Sequence, residues 1–343
     1  INMEGIFKNH NKDEFEIIGF YYGDIKKDET HHRIKKNFNK FFYVNDLDDE
    51  EILNLSLENK IDIAIYRAGL TVNARSSIFS KKIAPIQVNF LGYQGTTGQE
   101  GIDYIIADEY VIPENQENFY TEKIIYLPGS YFPRDNNRII GKKKFTRNEL
   151  KISENSFVFC NFNNSYKITL EEFEIWMKLL QKIDNSILLL LETNDEMKKN
   201  LYFEAEKFKI NDDRIVFIKK TIFEDHLSRH YLADLFLDTF NYNAHTTAVD
   251  ALWTGLPIIT KPGNSFSSRV CGSLLKFFDL DELILKNKDE YYNKALELAE
   301  NHHKLKAIKN KIVKHRDSNK HFDPKNYTLN LEKAYKKNSF NES

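Results

Sequence analysis

The 343-residue sequence is poor in cysteine, proline and glycine, with 2, 7 and 13 of each. Two cysteines, Cys160 and Cys271, are too few for a disulfide framework or a multi-cysteine zinc site. Scarce proline and glycine, beside 13% aromatics, exclude collagen-like, low-complexity and disordered classes. Charge of one sign is also missing. The 49 basic and 51 acidic side chains leave a net charge of -2, so no strong field for nucleic acid is implied. Long apolar runs are absent: stretches such as Ser186–Leu191 fall far short of the roughly 20 residues a bilayer span needs. No signal peptide is visible, and a cytoplasmic protein is the default expectation. An initiating methionine is lacking as well. The chain opens on Ile1 and runs straight into a helical stretch at Met3–Lys8, so we expect it to begin inside a longer product or at a fragment boundary.

What is present is an ordinary soluble composition, 41% hydrophobic and 29% charged. The length exceeds what one core usually supports and predicts two domains. The pattern is alternation. The first half carries strands within Glu14–Asp24 and at Phe41–Val44, Ile61–Tyr66, Ile86–Leu91, Tyr104–Ala107 and Lys123–Leu127. Helices are expected at His31–Asn39, Asp49–Asn59 and Asn73–Ser80. The second half has strands at Ser156–Asn161, Ser186–Glu192, Arg214–Lys219, Ala233–Asp238 and Pro257–Thr260. Its helices are expected at Leu170–Ile183, Asp195–Phe208, Phe223–Tyr231, His245–Trp253 and Ser267–Phe278, with charged helices beyond Glu290. Strands interleaved with helices predict parallel sheets with covered faces. A polar, basic stretch at Pro133–Lys144 separates the halves, giving two doubly wound α/β domains, 1–140 and 141–343. Ligands in such sheets bind beyond the carboxyl ends of strands, and the cleft between two such domains is the first place to expect one. No repeat of 20–50 residues is apparent.

Leu237–Pro262 is the most informative segment. A strand ends at Asp238, a polar loop follows, and a helix starts at His245-Thr246-Thr247. Open backbone amides and two hydroxyls at a helix start suit a diphosphate. Asp250 lies one turn deeper on the face of Thr246 and could accept from a ribose diol. The same residues read equally well as ordinary caps. In Cys160–Lys167 (CNFNNSYK), a polar loop leaves a strand and Lys167 could neutralise phosphate charge; alone it reads as a solvated lysine. His226 and Arg229 share a helix face and could meet a base or phosphate, although a lone helical histidine is more often structural. Ala84–Gly98 has a glycine- and hydroxyl-rich end but no dinucleotide or Walker fingerprint. Metal binding has little support. His31-His32 and His302-His303 are adjacent and diverge on a helix. Asp46-Leu47-Asp48 sits in an acidic helix start.

Together, Ala84–Gly98, Asp103–Asp108, Cys160–Lys167, Leu232–Asp238, Tyr242–Asp250, Ala251–Pro257 and Ser268–Leu275 resemble the catalytic region of the protein O-GlcNAc transferases and their Spindly-like relatives, in the same order along nearly the whole chain. The resemblance implies a GT-B fold, two Rossmann-like domains facing a cleft, with a helical tail whose last helix, Pro324–Lys337, packs back across the first domain. It implies an inverting, metal-independent transfer of a sugar, GlcNAc from UDP-GlcNAc, to a hydroxyl, usually Ser or Thr of a protein. Another donor such as GDP-fucose, or a glycan acceptor, is the alternative. No cofactor beyond the nucleotide-sugar donor is implied. In this sequence Lys167 and Tyr166 would serve catalysis. Asn164, His226, Arg229, Tyr242, His245, Thr246, Thr247 and Asp250 would bind the nucleotide sugar.

The departures lie in the first half. The family's D-x-x-G-[HY]-T segment reads Tyr66-Arg67-Ala68-Gly69-Leu70-Thr71 here, without the carboxylate or the His/Tyr. Phe223 takes the place of a family lysine that stacks on the base. The family's upstream histidine motif and tetratricopeptide superhelix would precede Ile1. These losses raise a third expectation, a sugar-nucleotide-binding module without turnover.

Overall fold

The computed structural model describes residues 2–23, 28–318 and 320–339. It divides into two compact units, Ile1–Asn136 with Phe322–Ser343, and Asn137–His321. The division therefore falls at 136/137 rather than 140/141, and the chain from Phe322 onward joins the first unit.

In the first unit, β1 (Ile18–Tyr21) pairs in parallel with β2 (Lys40–Tyr43). Asp24, the last residue of the run expected to contain the first strand, lies outside the described residues. A second sheet holds β3 (Ile63–Tyr66), β4 (Ile86–Asn89), β5 (Tyr104–Ala107) and β6 (Lys123–Tyr126), parallel and in chain order. Helices α1 (Glu4–Asn9), α2 (Glu29–Lys35), α3 (Asp49–Glu58) and α4 (Ser77–Ser80) accompany them. The helix expected over Asn73–Ser80 shrinks to α4's single turn; Asn73 has a left-handed φ of 62°, which a continuing right-handed helix cannot contain. Helix α3 is fixed at its start by a capping box between Asp48 and Glu51. Its Ile52 packs with Val44, Ala64, Tyr66, Ile78 and Phe79 in the unit's core.

The second unit is doubly wound about β7. Its strands β7 (Phe157–Asn161), β8 (Ser186–Leu191), β9 (Ile215–Ile218), β10 (Leu235–Leu237) and β11 (Ile258–Ile259) form a parallel sheet of order β11-β10-β7-β8-β9. The chain winds outward from β7 through β8 to β9, then returns to the other side of β7 with β10. The fully apolar run at Ser186–Leu191 is buried through its fifth residue, as a strand covered on both faces must be. Helices α5 (Leu170–Lys182), α6 (Asp195–Glu206), α7 (Phe223–Arg229), α8 (Thr246–Thr254), α9 (Val270–Phe277), α10 (Lys288–Glu300) and α11 (His302–Asp317) complete the unit. Helix α5 starts at a Thr169–Glu172 capping box and buries Phe173, Trp176, Leu179 and Leu180, an i, i+3, i+6, i+7 stripe. Helix α8 ends at Gly255, whose φ of 83° is the left-handed terminator that glycine takes without steric cost.

The last helix, α12 (Pro324–Ser339), belongs to the first unit. Glu332 accepts from the backbone of Asn11 at 2.7 Å and pairs with His10 at 2.9 Å. Tyr327 donates to the Tyr131 carbonyl. A Cβ on Gly5 would come within 2.7 Å of Pro324, so glycine there permits the close approach of α1 to α12.

Candidate nucleotide-sugar site

The strand order points to a place before any side chain is considered. In an open α/β sheet the ligand crevice lies outside the carboxyl ends of the strands where the winding reverses. Here that point is between β7 and β10, which pair directly. Two loops leave it: Phe162–Lys167 after β7 and Asp238–His245 after β10.

The loops are laced together. Asn161 Nδ2 donates to the Leu237 carbonyl at 2.7 Å. Asn163 Nδ2 donates to Asp238 Oδ1 at 3.3 Å and to Thr239 Oγ1 at 3.1 Å, while its Oδ1 accepts from Thr247 Oγ1 at 2.5 Å. Asp238 is the hub. Its Oδ1 takes the amides of Thr239 (2.8 Å) and Ala244 (2.6 Å), and its Oδ2 takes the Thr260 hydroxyl (2.7 Å). Burial pushes the Asp238 carboxyl up to about 6, against the pull of these donors and of Lys167.

Lys167 ends the short 3-10 turn Ser165–Lys167, which opens after Asn164 with Lys167 N on the Asn164 carbonyl at 3.0 Å. Its ammonium donates to the Asn243 carbonyl at 2.9 Å and stands 3.9 Å over the Tyr242 ring. Tyr242 stacks in turn on His245 at 4.7 Å. Burial lowers the Lys167 pKa to about 8 despite Asp238; the group remains cationic at neutral pH. Burial, and then the Lys167 charge, lowers His245 to about 3, so this imidazole is neutral. Its Nε2 donates to the Ser267 carbonyl at 3.0 Å, which fixes the tautomer and ties the helix start to the loop before α9. His245 occupies the cap position of α8 without closing its first turn by a side-chain bond.

The residues singled out in the sequence thus fall into three groups. Asn164, Lys167, Tyr242, His245 and Thr247 come together at the switch point, and Thr246 opens α8 beside them. Tyr166 stands at the rim, 72% exposed, edge-on to Tyr242 at 6.5 Å. His226 lies in a second group, packed against Phe162 (5.5 Å) and His230 (5.0 Å). Burial and the neighbouring Arg229 hold it down at about 4. Arg229 lies over Phe145 at 4.9 Å and donates to the Lys219 carbonyl. The third group is Asp250. Its carboxylate is buried in an ion pair with Arg138, whose carbonyl accepts from Trp253 Nε1 at 2.9 Å. Burial raises Asp250 to about 6, with Arg138 pulling the other way. The ribose partner expected from spacing is thus already engaged by a guanidinium.

The sequence reading passed over Asp238 and Asn163, which organise the site, and Arg138, which it placed in a linker. One signal was available: the D-T-F-N-Y-N loop after a strand is dense in side chains that bond their own backbone.

The chain matches the sequence profile of Glycosyl transferase family 41 over residues 2–145 and 140–331. It belongs to that family. The family 41 chain is 34% identical over 341 residues to an Arabidopsis thaliana protein named "Probable UDP-N-acetylglucosamine--peptide N-acetylglucosaminyltransferase SEC", covering 97% of this chain and 35% of the other. A Caenorhabditis elegans UDP-N-acetylglucosamine--peptide N-acetylglucosaminyltransferase is 26% identical over 80% of this chain and 34% of its own. The chain spans about a third of the length of these relatives. Among solved structures, a mutant of the Thermobaculum terrenum O-GlcNAc transferase superposes with a TM-score of 0.89 at 25% identity, over 98% of this chain and 64% of that one. Anabaena HepE, in complex with UDP and glucose, superposes at 0.64 and 10% identity over 93% of this chain and 91% of its own, a likeness of fold alone. The family 41 chain therefore has the GT-B class of fold that the resemblance implied.

In the first unit, the segment Tyr66–Thr71 has closed on itself. The Tyr66 hydroxyl donates to the Gly69 carbonyl at 2.5 Å, and its ring stacks on Phe79 at 4.1 Å. Leu70 is 51% exposed and Val72 90%. Among the described residues, no helix is long and apolar enough to cross a membrane.

Proposed function

We propose that this chain is the catalytic portion of a glycosyltransferase that moves GlcNAc from UDP-GlcNAc to a hydroxyl, a protein Ser or Thr. The single observation that carries the reading is the placement of the Lys167 ammonium on the Asn243 carbonyl, two residues before the cap of α8. A diphosphate at this helix start would meet aligned amides and the positive end of the dipole. It would also draw Lys167 off a neutral carbonyl onto an anion, a stronger hydrogen bond. Departure of UDP places negative charge on the diphosphate. Preorganised donors aimed at that charge lower the barrier more than they favour the ground state.

The roles of the other residues follow from their contacts. Neutral His245 holds the helix start to Ser267. Asn163 and Asp238 lock the two loops in register, and Thr247 is held by Asn163. Tyr166, Tyr242 and Asn164 line the path to Lys167. His226 and Arg229, beside Phe162 and Phe145, are assigned to the nucleoside side. Asp250 supports α8 through Arg138 and would reach a ribose only if that pair rearranged. The reading gives charge neutralisation to Lys167 and the helix, so transfer should persist in EDTA. Cys160 and Cys271 are buried free thiols, in keeping with the cytoplasm as the compartment.

One observation favours a second reading. The family's acid–base segment is replaced by a buried, internally bonded Tyr66 and an exposed Leu70, which suits a module that binds donor without turning it over. The test is donor hydrolysis and peptide transfer by the full-length protein with UDP-GlcNAc, UDP-glucose and GDP-fucose, beside UDP binding. Transfer from UDP-GlcNAc that Lys167→Ala abolishes supports the first reading. UDP binding without any turnover supports the second, and turnover indifferent to Lys167→Ala defeats the mechanism.

A further inference from the structure

A separate cluster lies in the second unit where the ends of α9 and α11 meet. One ligand atom from each of Asp279, His315 and His321 lies within 4.8 Å of the other two. The two imidazoles stack 4.5 Å apart at 20°. His321 also stacks on Phe278 at 4.8 Å and meets Phe277 edge-on at 5.3 Å. His315 Nδ1 is buried and has no hydrogen-bond partner, an arrangement that buried polar atoms in native proteins rarely tolerate. Asp279 turns the chain after α9 with a φ of 53°. The nearby Lys311 is held by the Asp279 carbonyl and by Glu282, which leaves the Asp279 carboxylate to face the histidines.

We propose that Asp279, His315 and His321 form a structural site for a divalent cation of the zinc class. Two imidazole nitrogens and one carboxylate oxygen suit Zn²⁺, Co²⁺ or Ni²⁺, with water completing the coordination, and do not suit Mg²⁺ or Ca²⁺, which take oxygen donors. The cation would supply the partner that His315 Nδ1 lacks and would clip the ends of α9 and α11 to His321. The three residues are spread over 43 positions, which is why the adjacent histidine pairs drew attention in the sequence and these did not. The site takes no part in the sugar chemistry.

The test is titration of the metal-free protein with Zn²⁺ alone by calorimetry, and with Co²⁺ by visible absorption, alongside thermal unfolding. The expected result is one equivalent bound, a tetrahedral-type Co²⁺ spectrum and a higher Tm. His315→Ala and Asp279→Asn should each weaken binding at least tenfold and abolish the Tm gain while UDP affinity is unchanged. Should His315→Ala fail to fold, Asp279→Asn and His321→Gln carry the same comparison. Failure of the folded protein to take up either metal overturns the proposal. So does uptake undiminished in the variants, which would place the ion on another pair such as His302-His303.

Discussion

The carboxyl end of β3, an edge strand of its parallel sheet, and those of the β7–β10 pair, at the winding reversal of the other sheet, are built differently. After β7 and β10 the chain makes a polar lattice: Asp238 serves two amides and a hydroxyl, Asn163 bridges the loops, and an ammonium waits on a carbonyl. After β3 the chain satisfies itself with the Tyr66–Gly69 bond and sets Leu70 and Val72 in water. The first kind of end is costly to assemble, because buried polar groups stabilise only when fully paired. Under the proposed function it is kept because a diphosphate would be gripped there. The second kind carries one charge, Arg67, held by no carboxylate of its own segment.

The contrast can be broken most sharply at Lys167. Lys167→Ala should lower transfer about 10²–10³-fold, the usual size for a lost donor to a developing anion, and a steady-state assay with UDP-GlcNAc checks it. Asp238→Ala comes next. It orphans at least three buried donors and should cost about 3 kcal/mol or more of stability by urea unfolding, with UDP binding lost alongside.

A pH series probes the same lattice more gently. Lys167 has its pKa lowered to about 8, so the ammonium is present below that value and lost above it. UDP affinity should hold from pH 6 to 7.5 and then fall by up to about tenfold per unit, since each pKa unit is worth about 1.4 kcal/mol. Lys167→Arg should flatten the fall, because a guanidinium stays charged. At the end of β3 the effects should be smaller. Tyr66→Phe leaves one carbonyl unsatisfied and should cost about 1 kcal/mol by thermal unfolding, without moving UDP affinity. Leu70→Asn and Val72→Thr, on exposed side chains, should stay within about 0.5 kcal/mol. A large loss of UDP binding in either would erase the distinction between the two strand ends.

Much of this was legible in the residues. Alternating apolar runs placed the strands of both units to within a few residues, because a strand buried on both faces has few other ways to read. The H-T-T helix start and Lys167 were legible because hydroxyls before an apolar helix and a lysine after a strand each carry a local signature. Asp238 was not, since its meaning depends on Asn163, 75 positions away, and their meeting requires the sheet to reverse at β7. Asp250 shows the complementary limit. Spacing put it on the face of α8 shared with Thr246 but could not reveal that Arg138, in a stretch read as a linker, takes its carboxylate. The turn at Asn73 escaped notice because no glycine marked the left-handed residue.

The terminal helix has a bearing on how the molecule comes into being. Tyr131, His10 and Gly5 find their partners on α12, on the far side in sequence from an entire α/β unit. Domains form as they leave the ribosome, so the later unit is finished while the earlier one still has an open flank. A deletion after His321, made to trim the second unit, would strip the first.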